Sequence, residues 1–481
     1  MKPFFLFILF IFNINFISAQ IFNVESIKFS GDTDKRINLV ILSDGYQMAE
    51  LDDFILDATN FTNDLFSQSP FLEYANYFNV YAIKVPSNES GADHPGTGPA
   101  TDETNWPIPI TTVDTYFNAT FDSFGNHFLL FYEIDENNVN NTQAIISNVL
   151  ASNFPMYDQA LILVNSAFYG GSGGEFSMAS TGISSNEIAI HELGHSLFDL
   201  KDEYYPGDDL TAEAVNMTQE TNASLVKWEN WMGINGIGIY QHTGSVIAET
   251  WYKPRHEECK MELLNKPFCS VCKEGIIEKI HDMISPIDSY SPVSNSITAT
   301  TYPIEFKLNL IKTIPNNETI PFGTIVSSWV LNSSNLVNNV DTVSLIDTDL
   351  NIGTNTLTVV VNDATTLLMI DNHATTHVYT VTWTITKSAL GIDDITSEEN
   401  TLSITLFPNP ANTVVNLKLE STKDLDLKVD VISLDGKLLK TTTLSNYQNQ
   451  QLDISDLSTG MYLTNFYLNN ILIASKRLVK N

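Results

Sequence analysis

The sequence predicts a multidomain protein in which an α/β (α+β) domain is followed by two β-sandwiches. Its 481 residues correspond to three domains at ~150 residues each. Helical and strand patterns are mixed in the first half of the chain, whereas polar and apolar residues alternate with period two after Pro286. The formal net charge of −33 would repel phosphate backbones and anionic lipids, so we expect no nucleic-acid partner.

Residues 1–19 are typical of a secretory signal peptide. A positive charge precedes a short apolar run at 3–12, and small residues lie just before Gln20. Asn13 and Asn15 interrupt this run well before the ~20 apolar residues that a membrane-spanning helix requires. No later stretch approaches that length, so we expect an exported protein without a transmembrane segment once the signal peptide is removed.

Residues 20–290 are predicted to form the α/β domain. The runs INLVIL at 37–42 and ALILV at 160–164 are short and apolar, as expected of strands buried inside a sheet. Between them, residues 50–66 carry apolar side chains at helical spacing. This domain also contains the residues with the clearest chemical signature.

The segment HELGH at 191–195 predicts a zinc hydrolase. Two histidines four residues apart lie on one face of a helix about one turn apart, so His191 and His195 can reach the same ion. A catalytic zinc ion has three protein ligands and one open position, and it lowers the pKa of bound water to about 7. Glu192 is displaced by one residue from the first histidine, so we expect it to act as the general base and acid rather than as a ligand.

The third zinc ligand is expected shortly after the motif. In a metzincin this ligand lies about six residues beyond the second histidine. Lys201 occupies that position and cannot bind a cation when protonated, but Asp202 follows it and offers a carboxylate oxygen. We therefore predict Asp202 as the ligand and keep Glu203 as the main alternative. Asp199 would share the helical face of the histidines and could support them.

Further motifs are spread over residues 37–276. They are LSDGY at 42–46, SNESGAD at 87–93, GGEFSMAS at 173–180, LKDEY at 200–204, CKM at 259–261 and FCSVC at 268–272. Together with HELGH they resemble the IgA-peptidase family of secreted zinc metallopeptidases. The resemblance implies a metzincin-like catalytic domain in which the two motif histidines and an acidic third residue bind zinc.

Four details accompany this resemblance. The family often has glycine at the positions of Phe198 and Asp199, where the active-site helix should end. Met261 lies where a metzincin places a methionine-containing turn beneath the histidines, although a buried methionine is also a common core residue. Tyr204 could donate a hydrogen bond to the developing oxyanion of the substrate, or it could be a packing residue. The glycine-rich stretch 169–174 is expected to form part of the rim of the site.

Residues 291–388 are predicted to form an immunoglobulin-like β-sandwich. TLTVVV at 356–361 and VYTVTWTI at 378–385 show the clearest period-two alternation. Residues 389–400 are interpreted as a linker. Three acidic residues of the sandwich could hold a structural Ca²⁺ ion, namely Asp341, Asp347 and Asp349.

Residues 401–481 are predicted to form a small antiparallel β-sandwich. Their features include FPNP at 407–410, the block Asp453…Leu457…Gly460-x-Tyr462, and the basic ending KRLVK at 476–480. These features resemble the C-terminal sorting domain of the type IX secretion pathway. The resemblance implies recognition by the type IX secretion machinery and a location outside the cell or on its outer surface.

Cysteines and isolated histidines leave several interpretations open. Cys259, Cys269 and Cys272 are the only cysteines, and in an exported protein we favour one disulfide plus a thiol. The alternatives are a second, structural Zn²⁺ ion that His256 helps to bind and three free thiols. The loop residue His94 is expected to be structural or solvated. His127 shows no ligand spacing of its own.

These observations predict a secreted zinc metalloendopeptidase that hydrolyses peptide bonds of extracellular proteins. The substrate would be a protein or peptide, and Glu192 would be the catalytic residue. The alternative from another class is a cell-surface binding or adhesion protein with an inactive peptidase-like domain. An intact motif favours the enzyme, because an inactive descendant would usually have lost Glu192 or a histidine.

Overall fold

A computed structural model describes most of the chain. The described residues are 20–132, 141–205, 207–314, 323–388, 403–420, 427–444, 450–468 and 471–481. The predicted signal peptide and linker lie outside these residues. Within the described ranges, no helix combines the length and apolar character that crossing a bilayer requires.

A six-stranded sheet organises the first half of the chain. Its strands are β1 (Asn23–Lys28), β2 (Ile37–Asp44), β3 (Phe78–Lys84), β4 (Gln159–Val164), β5 (Gly171–Ser172) and β6 (Ser177–Ser180), in the order β1-β3-β2-β4-β6-β5. The four central strands are parallel, and β1 and β5 pair antiparallel at the two ends. Every residue of β2 and β4 is buried, which explains why apolar residues follow one another almost without interruption in both strands.

In the described part of the chain, five α-helices and a short hairpin accompany this sheet. They are α1 (Leu51–Leu65), α2 (Ala100–Asn105), α3 (Asn141–Asn153), α4 (Ser185–Ser196), α5 (Ser270–Met283), and the paired strands β7 (Tyr240–Gln241) and β8 (Tyr252–Lys253). In α1 the apolar spacing places Phe54, Ala58 and Phe61 in the core, as the sequence predicts. Helix α4 begins shortly after the carboxyl end of β6, the edge at which parallel sheets usually carry their functional residues.

The region after α5 contains two further sheets. Its elements are β9 (Ile287–Ser291), β10 (Ser296–Thr298), β11 (Ile304–Leu310), β12 (Ile325–Leu331), β13 (Ser334–Asn338), β14 (Thr342–Leu345), β15 (Gly353–Asp363), α6 (His373–Thr376) and β16 (Tyr379–Lys387). One sheet has the order β10-β16-β15-β12-β13 and the other β14-β11-β9. The rings of Trp329 and Trp383 stack 5.9 Å apart, and Phe306 from the smaller sheet lies 5.1 Å from Trp383. The two sheets therefore pack face to face around buried aromatic rings.

The predicted calcium ligands in this region have other partners. Asp341 forms an ion pair with Lys312 at 2.7 Å, and Asp347 forms one with Lys387 at 3.0 Å. The Asp349 carboxylate accepts a hydrogen bond from a backbone N–H at the start of its own turn. These contacts satisfy the three carboxylates without an ion, so they give the calcium prediction no support.

The tail consists of two antiparallel sheets. The strands are β17 (Ser403–Phe407), β18 (Val414–Glu420), β19 (Leu427–Ser433), β20 (Leu438–Leu444), β21 (Gln450–Asp453), β22 (Gly460–Leu468) and β23 (Ile471–Lys480). They pair in the orders β17-β18-β21 and β20-β19-β22-β23. Inward-facing residues of both sheets, such as Val415, Val429 and Phe466, belong to one core, as a small sandwich requires.

The chain divides into two compact units. The first comprises the described residues up to Asn295 together with Glu305–Ser344 and Thr356–Trp383. The second comprises Ser296–Ile304, Leu345–Asn355 and Thr384–Asn481. All residues of the candidate site lie in the first unit.

Candidate metal and active site

Helix α4 positions both histidines of the motif, and backbone carbonyls fix their rings. Nδ1 of His191 lies 2.9 Å from the carbonyl oxygen of Lys260, and Nδ1 of His195 lies 2.7 Å from that of Leu200. A ring that donates through Nδ1–H carries its lone pair on Nε2, so these contacts set the tautomer. The two Nε2 atoms face each other at 3.1 Å. Two lone pairs at this distance require a cation or a proton between them.

Asp202 completes a cluster of three donor atoms. Its Oδ1 lies 3.0 Å from Nε2 of His191 and 3.1 Å from Nε2 of His195. The sequence-predicted ligands thus converge, and two imidazoles with one carboxylate are a donor set that suits zinc. Burial opposes the charged form of Asp202, but its hydrogen bonds to the two imidazoles outweigh burial and lower its pKa. Burial likewise disfavours the charged form of His195. The hydrogen bond and negative charge of Asp202 outweigh this effect and raise the pKa of His195 to about 9.

The chain turns sharply after α4, and Asp199 makes the turn. Asp199 has a left-handed φ of 57°, and the N–H of Leu200 donates to the carbonyl of Gly194 at 2.9 Å. This turn brings the Leu200 carbonyl to His195. The expectation that Asp199 supports the histidines is wrong, because α4 ends at Ser196 and the Asp199 side chain is exposed, pairing with Lys279 at 2.7 Å. An aspartate therefore occupies the left-handed position that glycine would fill more easily.

A buried asparagine holds the segment that presents Asp202. Oδ1 of Asn216 accepts the N–H of Lys201 at 2.8 Å, and Nδ2 donates to the carbonyl of Lys201 at 2.7 Å. The same Nδ2 lies 3.1 Å from Oε1 of Glu203. Residues on both sides of Asp202 are thus fixed by one side chain. Sequence reasoning missed Asn216, since no motif or spacing connects it to the histidines.

Glu203 is directed away from the histidines and into a group of three thiols. Its Oε1 lies 3.4 Å from Sγ of Cys259, 3.9 Å from Sγ of Cys269 and 3.1 Å from Sγ of Cys272. Burial raises the pKa of Glu203 well above its ordinary value. Of the two third-ligand candidates, only Asp202 faces the histidines.

The favoured disulfide is absent, and all three cysteines are free and buried. Sγ of Cys259 and Sγ of Cys272 lie 3.7 Å apart, and both face Glu203 instead of bonding to each other. His256 is 57% exposed and pairs with acidic residues rather than with the thiols. The disulfide prediction is therefore wrong, and the expected contribution of His256 to a zinc site is also wrong.

Glu192 lies beside the cluster, and Gly173 leaves space for its carboxylate. A Cβ atom added to Gly173 would lie 2.6 Å from Oε2 of Glu192, so any larger residue would displace the carboxylate. Burial raises the pKa of Glu192, although the neighbouring His191 and His195 lower it. The glycine-rich stretch thus has a steric role at this position.

Met261 packs beneath α4 between the two histidines. A Cβ atom at Gly194 would lie 2.9 Å from Sδ of Met261, and Met261 is fully buried. The carbonyl of Met261 accepts the N–H of Glu203 at 2.7 Å. Residues 260 and 261 therefore support the site in two ways. The carbonyl of Lys260 holds the ring of His191, and the side chain of Met261 packs under α4.

Two tyrosines lie at the exposed side of the site. The ring of Tyr204 stacks 6.3 Å from that of His191, and its side chain is half exposed. Burial raises the pKa of Tyr204, and the charges of Asp202 and Glu192 raise it further. The pKa of Tyr169 is also raised by burial and by Glu192. Both hydroxyls therefore remain protonated donors at neutral pH.

Comparison with known families agrees with the motifs. Residues 25–239 match the family model described as IgA Peptidase M64, and residues 405–481 match that of a secretion system C-terminal sorting domain. Both resemblances predicted from the sequence are confirmed. The first match indicates a peptidase of a metallopeptidase family. The second indicates a protein that is secreted or at the cell surface and that interacts with the type IX secretion machinery.

Similarity to solved structures is weak. Dimeric latent PorU from Porphyromonas gingivalis is 12% identical, with 40% of this chain and 20% of that chain covered and a TM-score of 0.15. The β-glucuronidase of Faecalibacterium prausnitzii is 8% identical, with 32% and 34% covered and a TM-score of 0.15. The fibronectin(III)-like modules of Clostridium thermocellum CbhA are 11% identical, with 40% and 93% covered and a TM-score of 0.14. The chain thus spans about a fifth of PorU, and no curated protein is a significant match.

Proposed function

We propose that the chain is a secreted zinc metalloendopeptidase, on the premise that residues 25–239 match the family model described as IgA Peptidase M64. One observation carries the proposal. The Nε2 atoms of His191 and His195 and Oδ1 of Asp202 converge with separations of 3.0 to 3.1 Å. These three residues would hold the ion, and Glu192 would be the catalytic residue beside it.

The donor set supports a catalytic rather than a structural ion. Structural zinc sites usually have four protein ligands, whereas catalytic sites have three and leave one position open. When bound, zinc supplies Lewis-acid polarisation of the substrate carbonyl and makes water more acidic. Glu203, the carboxylate that follows Asp202 in the sequence, is turned towards the cysteines and would not be a fourth ligand.

Glu192 is suited to move the proton during hydrolysis. Its carboxylate is held next to Gly173, and burial raises its pKa towards the range in which it can both accept and return a proton. We propose that Glu192 takes a proton from the attacking water and delivers it to the leaving amine. Tyr204 would donate a hydrogen bond to the oxyanion of the substrate, since its hydroxyl stays protonated and its ring lies against His191.

The remaining domain assignments are part of the same proposal. We assign residues 20–290 to a metzincin-like catalytic domain, and the packing of Met261 under α4 supports this. We assign residues 291–388 to an immunoglobulin-like sandwich, supported by the face-to-face sheets around Trp383. Residues 401–481 would form the domain that the secretion machinery recognises.

A casein-cleavage assay tests the proposed activity. The full mature chain should cleave casein, lose activity on chelation and regain it with Zn²⁺. Glu192→Gln should lower kcat by about 10²- to 10⁴-fold while the zinc content stays unchanged. The exposed residue Glu229 provides the control, because Glu229→Gln should keep full activity. Cleavage that survives Glu192→Gln would contradict the assignment, and an absence of any cleavage would favour the inactive adhesion protein.

A further inference from the structure

A second group of imidazoles and carboxylates lies in the segment between β3 and β4, on helix α2 and the loops around it. It consists of His94, Glu103, Asp122 and His127, whose donor atoms all lie within 4.8 Å of one another. The side chains of His94, Asp122 and His127 are at most 1% exposed, and that of Glu103 is 21% exposed. None of the four belongs to the HELGH site.

The donor atoms of this group are close enough to one another to bind one ion: the two separations to Glu103 match those of ligands around a tetrahedral ion, and the two to Asp122 are a few tenths of an ångström shorter. Nε2 of His94 lies 3.1 Å from Oδ2 of Asp122 and 3.4 Å from Oε1 of Glu103. Nδ1 of His127 lies 2.9 Å from Oδ1 of Asp122 and 3.3 Å from Oε1 of Glu103. Nitrogen and oxygen ligands of a tetrahedral zinc ion, bound at about 2.0–2.2 Å, lie about 3.3–3.6 Å apart. Nε2 of His94 is buried and makes no hydrogen bond, which is unusual for a ring so close to two carboxylates.

Backbone carbonyls orient both rings by contacting the ring nitrogen that faces away from the carboxylates. Nε2 of His127 lies 2.7 Å from the carbonyl oxygen of Trp106, and Nδ1 of His94 lies 3.3 Å from that of Pro109. Each ring that donates to a carbonyl directs its other nitrogen, as a lone pair, towards the carboxylates. Metal-binding histidines are commonly held in this way.

Backbone N–H groups orient both carboxylates as well. The N–H of Thr97 donates to Oδ2 of Asp122 at 2.7 Å, and the N–H of Gly98 donates to Oε1 of Glu103 at 3.0 Å. Asp122 also adopts a left-handed φ of 60°, which costs energy for a residue other than glycine. Two neutral imidazoles and two carboxylates carry a charge of −2, which one divalent cation would neutralise in this buried place.

We propose that His94, Glu103, Asp122 and His127 form a second, structural zinc site. Four protein ligands leave no open position, which is the arrangement of a structural rather than a catalytic ion. The two imidazoles favour zinc over calcium, since calcium is bound almost entirely by oxygen atoms. This site differs from the HELGH site, and it also differs from the cysteine group at which the sequence suggested a second zinc ion.

The ion would anchor one wall of a cavity near the proposed active site. Trp106, whose carbonyl holds His127, lines this cavity together with Ile108, Phe128 and Tyr169. Tyr169 lies four residues before Gly173, at which an added Cβ would lie 2.6 Å from Oε2 of Glu192, so one short segment links this cavity to that carboxylate. If the proposed function holds, the second ion fixes a pocket for an apolar substrate side chain, and its loss should raise KM more than it lowers kcat.

Zinc content and thermal stability test the site independently of catalysis. The full mature chain carrying His191→Ala and His195→Ala provides a background without the HELGH ligands. This background should still bind zinc, and a chelator should lower its Tm, because an ion that binds only the folded state stabilises it. Adding His127→Ala should remove one equivalent of zinc per chain and abolish the chelator effect. Equal zinc content with and without His127→Ala would overturn the proposal.

Three further measurements keep the test decisive. His256→Ala removes an exposed imidazole and should change neither zinc content nor Tm. If His127→Ala fails to fold, Glu103→Gln at the partly exposed edge should weaken zinc binding about 10- to 100-fold in a competition assay, and unchanged affinity would overturn the site. After cobalt substitution of the background, the bound ion should show no thiolate charge-transfer band. Such a band would assign the ion to the cysteines instead.

Discussion

The two groups of imidazoles and carboxylates differ in how the chain assembles them and in what they leave open. At the HELGH site, helix α4 supplies two of the proposed ligands and the segment after its terminal turn supplies Asp202, with Glu192 beside the three. In the second group, Glu103 of α2 and three loop residues within 94–127 surround one point, and backbone groups support each of them. Three ligands beside a base suit catalysis, whereas four suit a structural role. The number of ligands therefore separates the two functions more clearly than the type of ligand.

The largest expected effect comes from removing the third ligand of the open site. Asp202→Ala should abolish measurable casein cleavage and remove the zinc that depends on His191 and His195. Glu203→Gln is the matched control, because Glu203 faces the cysteines and should leave that zinc in place. Measuring the zinc content of the two variants distinguishes Asp202 from Glu203 as the third ligand. If Glu203→Gln instead lost the ion and Asp202→Ala kept it, the assignment of the third ligand would be reversed.

The next effect tests the space that Gly173 leaves for the catalytic carboxylate. Gly173→Ala should lower kcat by about 10- to 100-fold with zinc content unchanged, because its Cβ would lie 2.6 Å from Oε2 of Glu192. Adding Gly173→Ala to Glu192→Asp, whose side chain is shorter, should cause a smaller further loss. Steady-state kinetics on a peptide substrate would measure both. Equal losses in the two backgrounds would show that Gly173 does not act through Glu192.

A smaller effect is expected from the asparagine that holds the Asp202 segment. Asn216→Ala leaves the buried N–H and carbonyl of Lys201 without their partner, so unfolding free energy should fall by about 1–3 kcal/mol. Zinc affinity should fall with it, because Asp202 becomes more mobile. Asn88→Ala, at an exposed position, should change stability by less than about 0.5 kcal/mol. Denaturant unfolding of the two variants would compare them, and similar losses would argue against a special role for Asn216.

The smallest effect concerns the turn that ends α4. Asp199→Gly should keep activity and stabilise the chain slightly, whereas Asp199→Ala should be less stable than Asp199→Gly by about 1 kcal/mol, because alanine is disfavoured at the left-handed φ of 57°. The lost ion pair with Lys279 is exposed and should contribute little. Thermal unfolding would rank the variants. If alanine equalled glycine, backbone conformation would not limit stability at this turn.

Local spacing explains why the open site could be predicted from the sequence. The helical repeat alone places His191, Glu192 and His195 relative to one another. Asp202 follows only seven residues after His195, so a single turn of the chain can bring it back to the histidines. The buried strands at 37–42 and 160–164 can likewise be predicted from their short apolar runs. In each case the relevant geometry depends on neighbours in the sequence.

The other features depend on contacts between distant segments. His94 and His127 show no ligand spacing, and they meet only because loops bring Glu103 and Asp122 between them. Asn216 acts by hydrogen bonding to the backbone of Lys201, and no sequence motif indicates such a contact. The cysteines suggested a disulfide, because sequence alone could not show that Glu203 lies among them. Asp199 would share the face of the histidines only if α4 continued past Ser196, where it ends.

Anomalous diffraction at the zinc edge, from crystals of the full mature chain, would locate the proposed ion itself. We expect a zinc peak bound by Nε2 of His191, Nε2 of His195 and Oδ1 of Asp202, with no fourth protein ligand and with Glu192 beside the open position. A peak whose fourth position is filled by another side chain, or the absence of any peak between these three atoms in zinc-saturated crystals, would contradict it.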